Sequence, residues 1–439
     1  MRGGAPLRRR PALSRDARLL IAGQGVRAAG YGFTAVLLGA VLAARGLTPL
    51  QVGAVLTALI AGTAVASAAV GLFADRIGRR RCYALFFAGL AVAGLLVALG
   101  IPWWALLIVA ITGTLSTDII DNGPATTLEQ AMLAAEDAGT AGVYGRYNMV
   151  GAAAGALGAL ALTLPGLGRP SAAPHAWLFA ALVPVGIAGV LLALRLSQST
   201  EVEQASSARP GASWRAKLGP SRQVVHRLAG LFAVDAGGSG LVTAGFMSYF
   251  FTERYHTSVA ALGWLFFAVS VVQAVSVAVA PALARRYGLI ATMVGTHLPS
   301  NILLASIAFA PSFPVAAALL LARTTLSQMD VPTRQALVMT VVSPEERTAA
   351  SAVTNAARYT VRPVGPLVAG AVQQIALGAP LLIAGAVKGG YDIALWTWAR
   401  RLPLIIPAAT VPPGPARSED TKTASAAASA AHESKGPTS

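Results

Sequence analysis

The chain has 439 residues, of which 55% are hydrophobic and only 12% charged, where soluble domains carry about 25% charged residues. Charge this sparse, with a mean hydropathy of +0.62, excludes a soluble enzyme, a secreted domain and a disordered regulator, and leaves a polytopic membrane protein. The net charge of +16 sits in short segments between apolar stretches, so no nucleic-acid partner is expected, and the single cysteine, Cys82, excludes an internal disulfide framework and a cysteine-based metal site.

A helix needs about 20 mostly apolar residues to cross ~30 Å of hydrocarbon. Twelve segments reach or approach that length: 19–44, 53–74, 82–100, 102–120, 142–164, 173–194, 228–251, 259–284, 288–310, 312–333, 348–372 and 378–399. Their unbroken runs of Ala, Leu, Val and Gly predict helices, which satisfy their own backbone in lipid, and lack the alternation of a membrane barrel. Residues 1–18, with Arg2, Arg8, Arg9, Arg10, Arg15 and Arg18, read as a retained basic tail rather than a cleaved signal. With that tail inside, the inner loops hold Arg76, Arg79, Arg80, Arg81, Arg195, Arg209, Arg215, Lys217, Arg222, Arg227, Arg285 and Arg286, and the outer loops only Arg45, Arg169 and Arg254. Positive residues favour the cytoplasm, so both termini are expected there. The polar loop 197–227 separates a bundle over 19–196 from one over 228–400, and 401–439 is expected to be a disordered tail.

The halves echo each other. Ala74-Asp75-Arg76-Ile77-Gly78 is matched 210 residues later by Ala284-Arg285-Arg286-Tyr287-Gly288, and Glu129-Gln130-Ala131 is matched 205 residues later by Arg334-Gln335-Ala336. Order and offset favour duplication, and two six-helix halves around a midplane site are a standard plan of secondary transporters.

The loop after the second span reads Gly71-Leu72-Phe73-Ala74-Asp75-Arg76-Ile77-Gly78-Arg79-Arg80-Arg81. It resembles the signature loop of the major facilitator superfamily, with Phe73 where leucine is usual. The resemblance implies an all-α membrane protein of twelve transmembrane helices in two pseudo-symmetric six-helix bundles. It also implies transport by alternating access without a catalytic cofactor, driven by a proton or ion gradient, and an Asp75 that latches the halves on the inner side. The latch loop so implied comprises Gly71, Asp75, Arg76, Gly78, Arg79 and Arg80; in physical terms Gly78 tolerates the positive φ of a tight reversal, Gly71 allows close helix approach, and Arg79, Arg80 and Arg81 are mainly topogenic. The antiporter signature with Gly-Pro in the fifth span is missing from Met149–Leu164, and a similar string, Gly365-Pro366, stands in the eleventh. A monomer in a bacterial inner membrane, exporting a small solute with protons, is the first expectation. Uptake or facilitated diffusion on the same fold, and a non-transporting sensor or scaffold, are the alternatives.

Ionisable groups inside a span cost about 2.5–3.5 kcal/mol each on insertion scales and so ask for a partner or a role. Those on the expected pathway are Arg27, Asp118, Asp121, Glu129, Asp235, Arg323, Asp330, Arg334 and Arg358; Arg362, outside that set, lies deeper than Arg358 and is less able to snorkel. Asp330 and Arg334, and likewise Lys388 and Asp392, are i,i+4 neighbours that could neutralise each other. Asp118, Asp121, Asp235 and Arg27 have no obvious partner on their own helices, and a proton carrier among them is expected only where Asp118, Asp235 and Arg27 reach one central, water-filled space. There a carboxylate either carries a proton or forms a static tie to Arg27 or Arg323. His297 reads as a hydrogen-bonded packing residue. No phosphate-binding loop and no paired nucleophile and base occur, so the chain is not read as an enzyme.

Overall fold

The computed structural model describes residues 13–118, 123–135, 141–164, 175–201, 218–343 and 346–400. Most of the basic tail, Asp121, the centre of the 197–227 loop and the 401–439 tail lie outside the described residues.

The architecture is all-helical. The first half of the chain runs through α1 (Arg15–Ala44), α2 (Pro49–Ile77), α3 (Arg79–Ala98), α4 (Trp103–Ile111), α5 (Pro124–Ala135), α6 (Ala141–Ala161) and α7 (Leu182–Leu194), the last entered through a 3-10 segment, His175–Ala181. The second half runs through α8 (Arg222–Gly240), α9 (Ala244–Tyr255), α10 (Val259–Tyr287), α11 (Leu289–Ile307), α12 (Phe313–Ser327), α13 (Asp330–Val341), α14 (Arg347–Val361), α15 (Val364–Gln373) and α16 (Ala379–Ala399). Seven segments among the described residues are by themselves long and apolar enough to cross a membrane: Arg15–Ala44, Pro49–Ile77, Arg79–Ala98, Ala176–Leu194, Arg222–Tyr255, Val259–Tyr287 and Leu289–Ile307.

Several expected spans are broken near their middles. Gly113, at φ +69°, turns the chain after α4. Thr243 caps α9 by accepting from the Phe246 amide. Pro332 has no N–H to return to the Gln328 carbonyl, which ends α12 before α13 begins. Pro363 and Pro366 do the same to the carbonyls of Tyr359 and Arg362, between α14 and α15.

The end of the bundle carrying Arg76, Arg79, Arg80, Arg81, Arg222, Arg227, Arg285 and Arg286 is termed the basic end; Arg45 and Arg254 lie at the far end. Packing differs sharply between the two. A large apolar core joins α1, α2, α3 and α6 to the far-end parts of the second half, including Phe246, Phe250, Phe251, Leu262, Leu304 and Leu320. The basic end of the second half keeps a separate core of Val225, Phe232, Met293, Leu337, Tyr391 and Leu395. Among the described residues the halves therefore share an interior only at the far end. Glycines make that contact close, as in membrane bundles generally. A Cβ on Gly39 would strike the backbone of Gly245 and Tyr249, one on Gly53 the Pro366 carbonyl, and one on Gly263 the Ala159 carbonyl. At the basic end a Cβ on Gly71 would meet nothing.

Carboxylates staple the basic-end loops to their own halves. Asp16 accepts from the Ser197 amide at 3.2 Å. Glu201 accepts from the amides of Arg79 at 2.7 Å and Arg80 at 3.2 Å, capping α3 after Gly78 turns at φ +103°. In the second half Glu346 receives the Gly219 amide.

Candidate functional site

The signature loop closes α2 and opens α3. Asp75 does not cross to the other half here: its Oδ1 accepts from Arg79 Nε at 2.7 Å, one turn along. Arg79 also donates to the Ala131 carbonyl at 3.1 Å and Arg80 to that of Leu194 at 3.3 Å, while Arg76 is exposed.

The intramembrane charges form three separate groups rather than one. In the first half Arg27 on α1 pairs with Glu129 on α5 at 2.8 Å, with side-chain exposures of 1% and 0%. Arg27 also donates to Thr126 at 2.9 Å and to Gln24, and the hydroxyls of Tyr83 and Tyr147 donate to Glu129.

In the second half Asp235 on α8 accepts from Lys388 Nζ on α16 at 2.6 Å and from Arg334 on α13 at 3.5 Å. Arg334 also holds Asp330 on its own helix, as the i,i+4 spacing predicts. Lys388 and Asp392 do not neutralise each other as their spacing suggested. Lys388 turns to Asp235 and Ser239, the latter at 2.7 Å. Asp392 turns to α11, accepting from His297 Nδ1 and Asn301 Nδ2, each at 2.8 Å. Both are buried, so each takes the counter-group that its own side of α16 faces. His297 is thus the packed, hydrogen-bonded residue that the sequence suggested.

The third group bridges the halves. Asp118, in the break between α4 and α5, pairs with Arg362 at the break between α14 and α15. Its Oδ1 also receives the Ala244 amide at 3.4 Å, and the neighbouring Thr117 carbonyl receives the Gly245 amide at 3.1 Å. The start of α9 therefore docks on the α4 break, where the positive end of a helix suits an anion. Both partners remain partly open, at 27% for Asp118 and 33% for Arg362. The expected tie of Asp118 to Arg27 or Arg323 is replaced by Arg362. Arg27, Asp118 and Asp235 sit in three places because a buried charge takes the nearest counter-charge, and each finds one on a packed neighbouring helix; the shared proton-carrying space expected of them is not formed, and of the three only Asp118 stands between the halves.

Arg323 on α12 and Arg358 on α14 remain. Among the described residues neither makes a hydrogen bond or ion pair, and the Nε of each is buried without a partner. The charge of Asp235 reaches both, but Lys388 and Arg334 already occupy it.

The repeat resolves into chemistry at these sites. Glu129 and Arg334, aligned by sequence, each close a buried pair with the first helix of their half, α1 through Arg27 and α8 through Asp235. The pairs occupy equivalent places with their charges exchanged. Arg362, Lys388, Asp392, Tyr83 and Tyr147 belong to these groups and were not selected as site residues from the sequence. For Arg362 its depth in an apolar span was the available signal.

Comparison with known proteins places this geometry. The Major Facilitator Superfamily profile matches residues 20–399. An uncharacterized membrane protein of Saccharomyces cerevisiae is 27% identical over 392 residues, covering 81% of this chain and 88% of that one. Among solved structures, the nucleoside transporter NupG superposes with a TM-score of 0.68 at 17% identity, over 88% of this chain and 99% of its own. A D-xylose–proton symporter superposes with a TM-score of 0.63 at 16% identity, over 89% and 98%. The chain belongs to the Major Facilitator Superfamily, multi-pass membrane carriers that are not enzymes and that move solutes by gradient-driven alternating access.

Proposed function

We propose that this carrier crosses a bacterial inner membrane twelve times as a monomer, with the basic end and both termini cytoplasmic, and that it takes up a small polar solute together with protons. With the basic end inside, the arrangement is inward-open: the halves share a core only at the outer end. Asp75, held by Arg79 in its own loop, is then an unengaged latch, which would cross to the other half when the inner side closes.

The observation that carries the reading is the Asp118–Arg362 pair. It joins the halves at the level where α4, α8–α9 and α14 are interrupted, which is where this architecture places its site. A proton on Asp118 cancels the attraction to Arg362 and to the start of α9, and so loosens the outer closure. Proton binding and outward opening are thereby coupled. Uptake replaces export as the direction because the solved relatives include a proton symporter and a nucleoside transporter. The buried Arg27–Glu129 and Asp235–Arg334 pairs each lie within one half and are proposed as static braces.

Spin labels at Phe73→Cys and Tyr287→Cys, in a Cys82→Ser background, report the inner gap. In membranes the wild type should show two distance populations, with the shorter favoured at low pH. Asp118→Asn should abolish the pH response while inserting normally. A single distance independent of pH would leave a scaffold as the better description.

A further inference from the structure

Among the described residues of the second half, Arg323 and Arg358 are the half-buried charges that no side chain answers. Arg334 has Asp330 and Asp235, Lys388 has Asp235, Arg362 has Asp118, and Asp392 is held by His297 and Asn301. Each unanswered arginine stands four or five residues from a helix break, Arg323 before Gln328 and Arg358 before Arg362. At ~1.5 Å per residue Arg323 stands about 8 Å on the far-end side of its break and Arg358 about 6 Å on the basic-end side of its own, so an anion between the breaks is approached from both sides. Both are half-buried and close enough to Asp235 to feel its charge, while their Nε atoms are shut off from any acceptor. Arg358 also feels the like charges of Arg334 and Arg362. A guanidinium held this way is unfavourable unless an anion arrives, and its planar donor fork matches carboxylate or phosphate oxygens.

We infer that the transported solute is an organic anion whose carboxylate or phosphate is bound by Arg323 and Arg358. This inference rests on the uptake-carrier reading and names the substrate class of that same central site. It also accounts for the proton: a cation that enters with the anion offsets its charge.

The test uses the purified full chain in detergent, at fixed ionic strength with chloride as control. Succinate and citrate form the carboxylate arm and glycerol 3-phosphate the phosphate arm, with succinamide and glycerol as uncharged counterparts. One arm should raise the melting temperature saturably. Arg323→Gln and Arg358→Gln should each weaken that anion at least tenfold, Arg358→Lys should weaken it less than Arg358→Gln, and the unliganded Gln variants should melt no lower than the wild type. Equal stabilisation by an uncharged counterpart, affinities that survive both Gln substitutions, or no response to any anion overturns the inference. Counterflow in proteoliposomes separates the two proposals. An anion that binds through these arginines but is never moved supports the site and removes the carrier reading. Movement of uncharged solutes only does the reverse.

Discussion

Removing Glu129 offers the sharpest energetic test of the first-half brace. Its carboxylate is fully buried, paired with Arg27 at 2.8 Å, and accepts from the Tyr83 and Tyr147 hydroxyls. Glu129→Ala strands a guanidinium that is 1% exposed and leaves both tyrosine hydroxyls without this acceptor. Breaking a buried pair from one side costs about 3–5 kcal/mol, and the stranded hydroxyls put the expected loss toward the upper part of that range. The double variant Arg27→Met/Glu129→Met removes both charges and refills the space with flexible apolar side chains. It should recover to within about 1–2 kcal/mol of the wild type, because replacing a buried pair by packed apolar groups is often neutral. Unfolding of the reconstituted protein in mixed micelles, followed by tryptophan fluorescence, gives the coupling energy through a double-mutant cycle. Additive single effects, or a Glu129→Ala loss below about 1 kcal/mol, would show that water or another group already screens the pair and would refute the brace.

Three further outcomes follow from the geometry. Gly39→Val places a side chain against the Gly245 and Tyr249 backbone, so labels on the far end of α1 should become more accessible to aqueous reagents; unchanged accessibility would contradict the close-packed outer gate. Lys388→Met leaves Asp235 with Arg334 at 3.5 Å and His297 Nε2 at 3.9 Å and should destabilise the protein more than Asp392→Asn, which keeps acceptor capacity for His297 and Asn301; the comparison needs only melting curves. Hydrogen bonds from Ser221 and Gly219 hold the Glu346 carboxyl below the usual carboxylate range. Its stabilising contribution is therefore present at neutral pH and is lost as pH falls through that lowered value. The protection factor of the Gly219 amide, the unstructured exchange rate divided by the observed one at the same pH, should fall in acid for the wild type, whereas in Glu346→Gln it should show little pH dependence.

The sequence made the class of fold legible because lipid constrains composition so strongly: apolar length, basic loops and the Gly78 reversal all follow from one-dimensional rules. The Glu129 and Arg334 register was also visible, as a repeated Gln-Ala pair. What stayed hidden was rotation about helix axes. Lys388 and Asp392 satisfied the spacing of a local pair, yet α16 presents them to α8 and α11. Asp118 had candidate partners in Arg27 and Arg323, but neither choice accounted for the interruption that carries Arg362 to it. A proline in the sequence does not by itself fix a break: Pro281 and Pro299 lie within unbroken helices, whereas Pro332 and Pro363 stand at breaks.

The loop staples have a mechanical corollary. Glu201 fastens one end of the connector to the α3 start, and Glu346 fastens the other at Gly219. Eighteen residues separate these anchors along the chain, a leash that can stretch to about 60 Å at ~3.3–3.6 Å per residue. Rocking of the two bodies changes the distance between its moorings. Progressive shortening of the leash would act as a mechanical stop, limiting how far the cytoplasmic mouth can gape without touching any group that handles solute or proton.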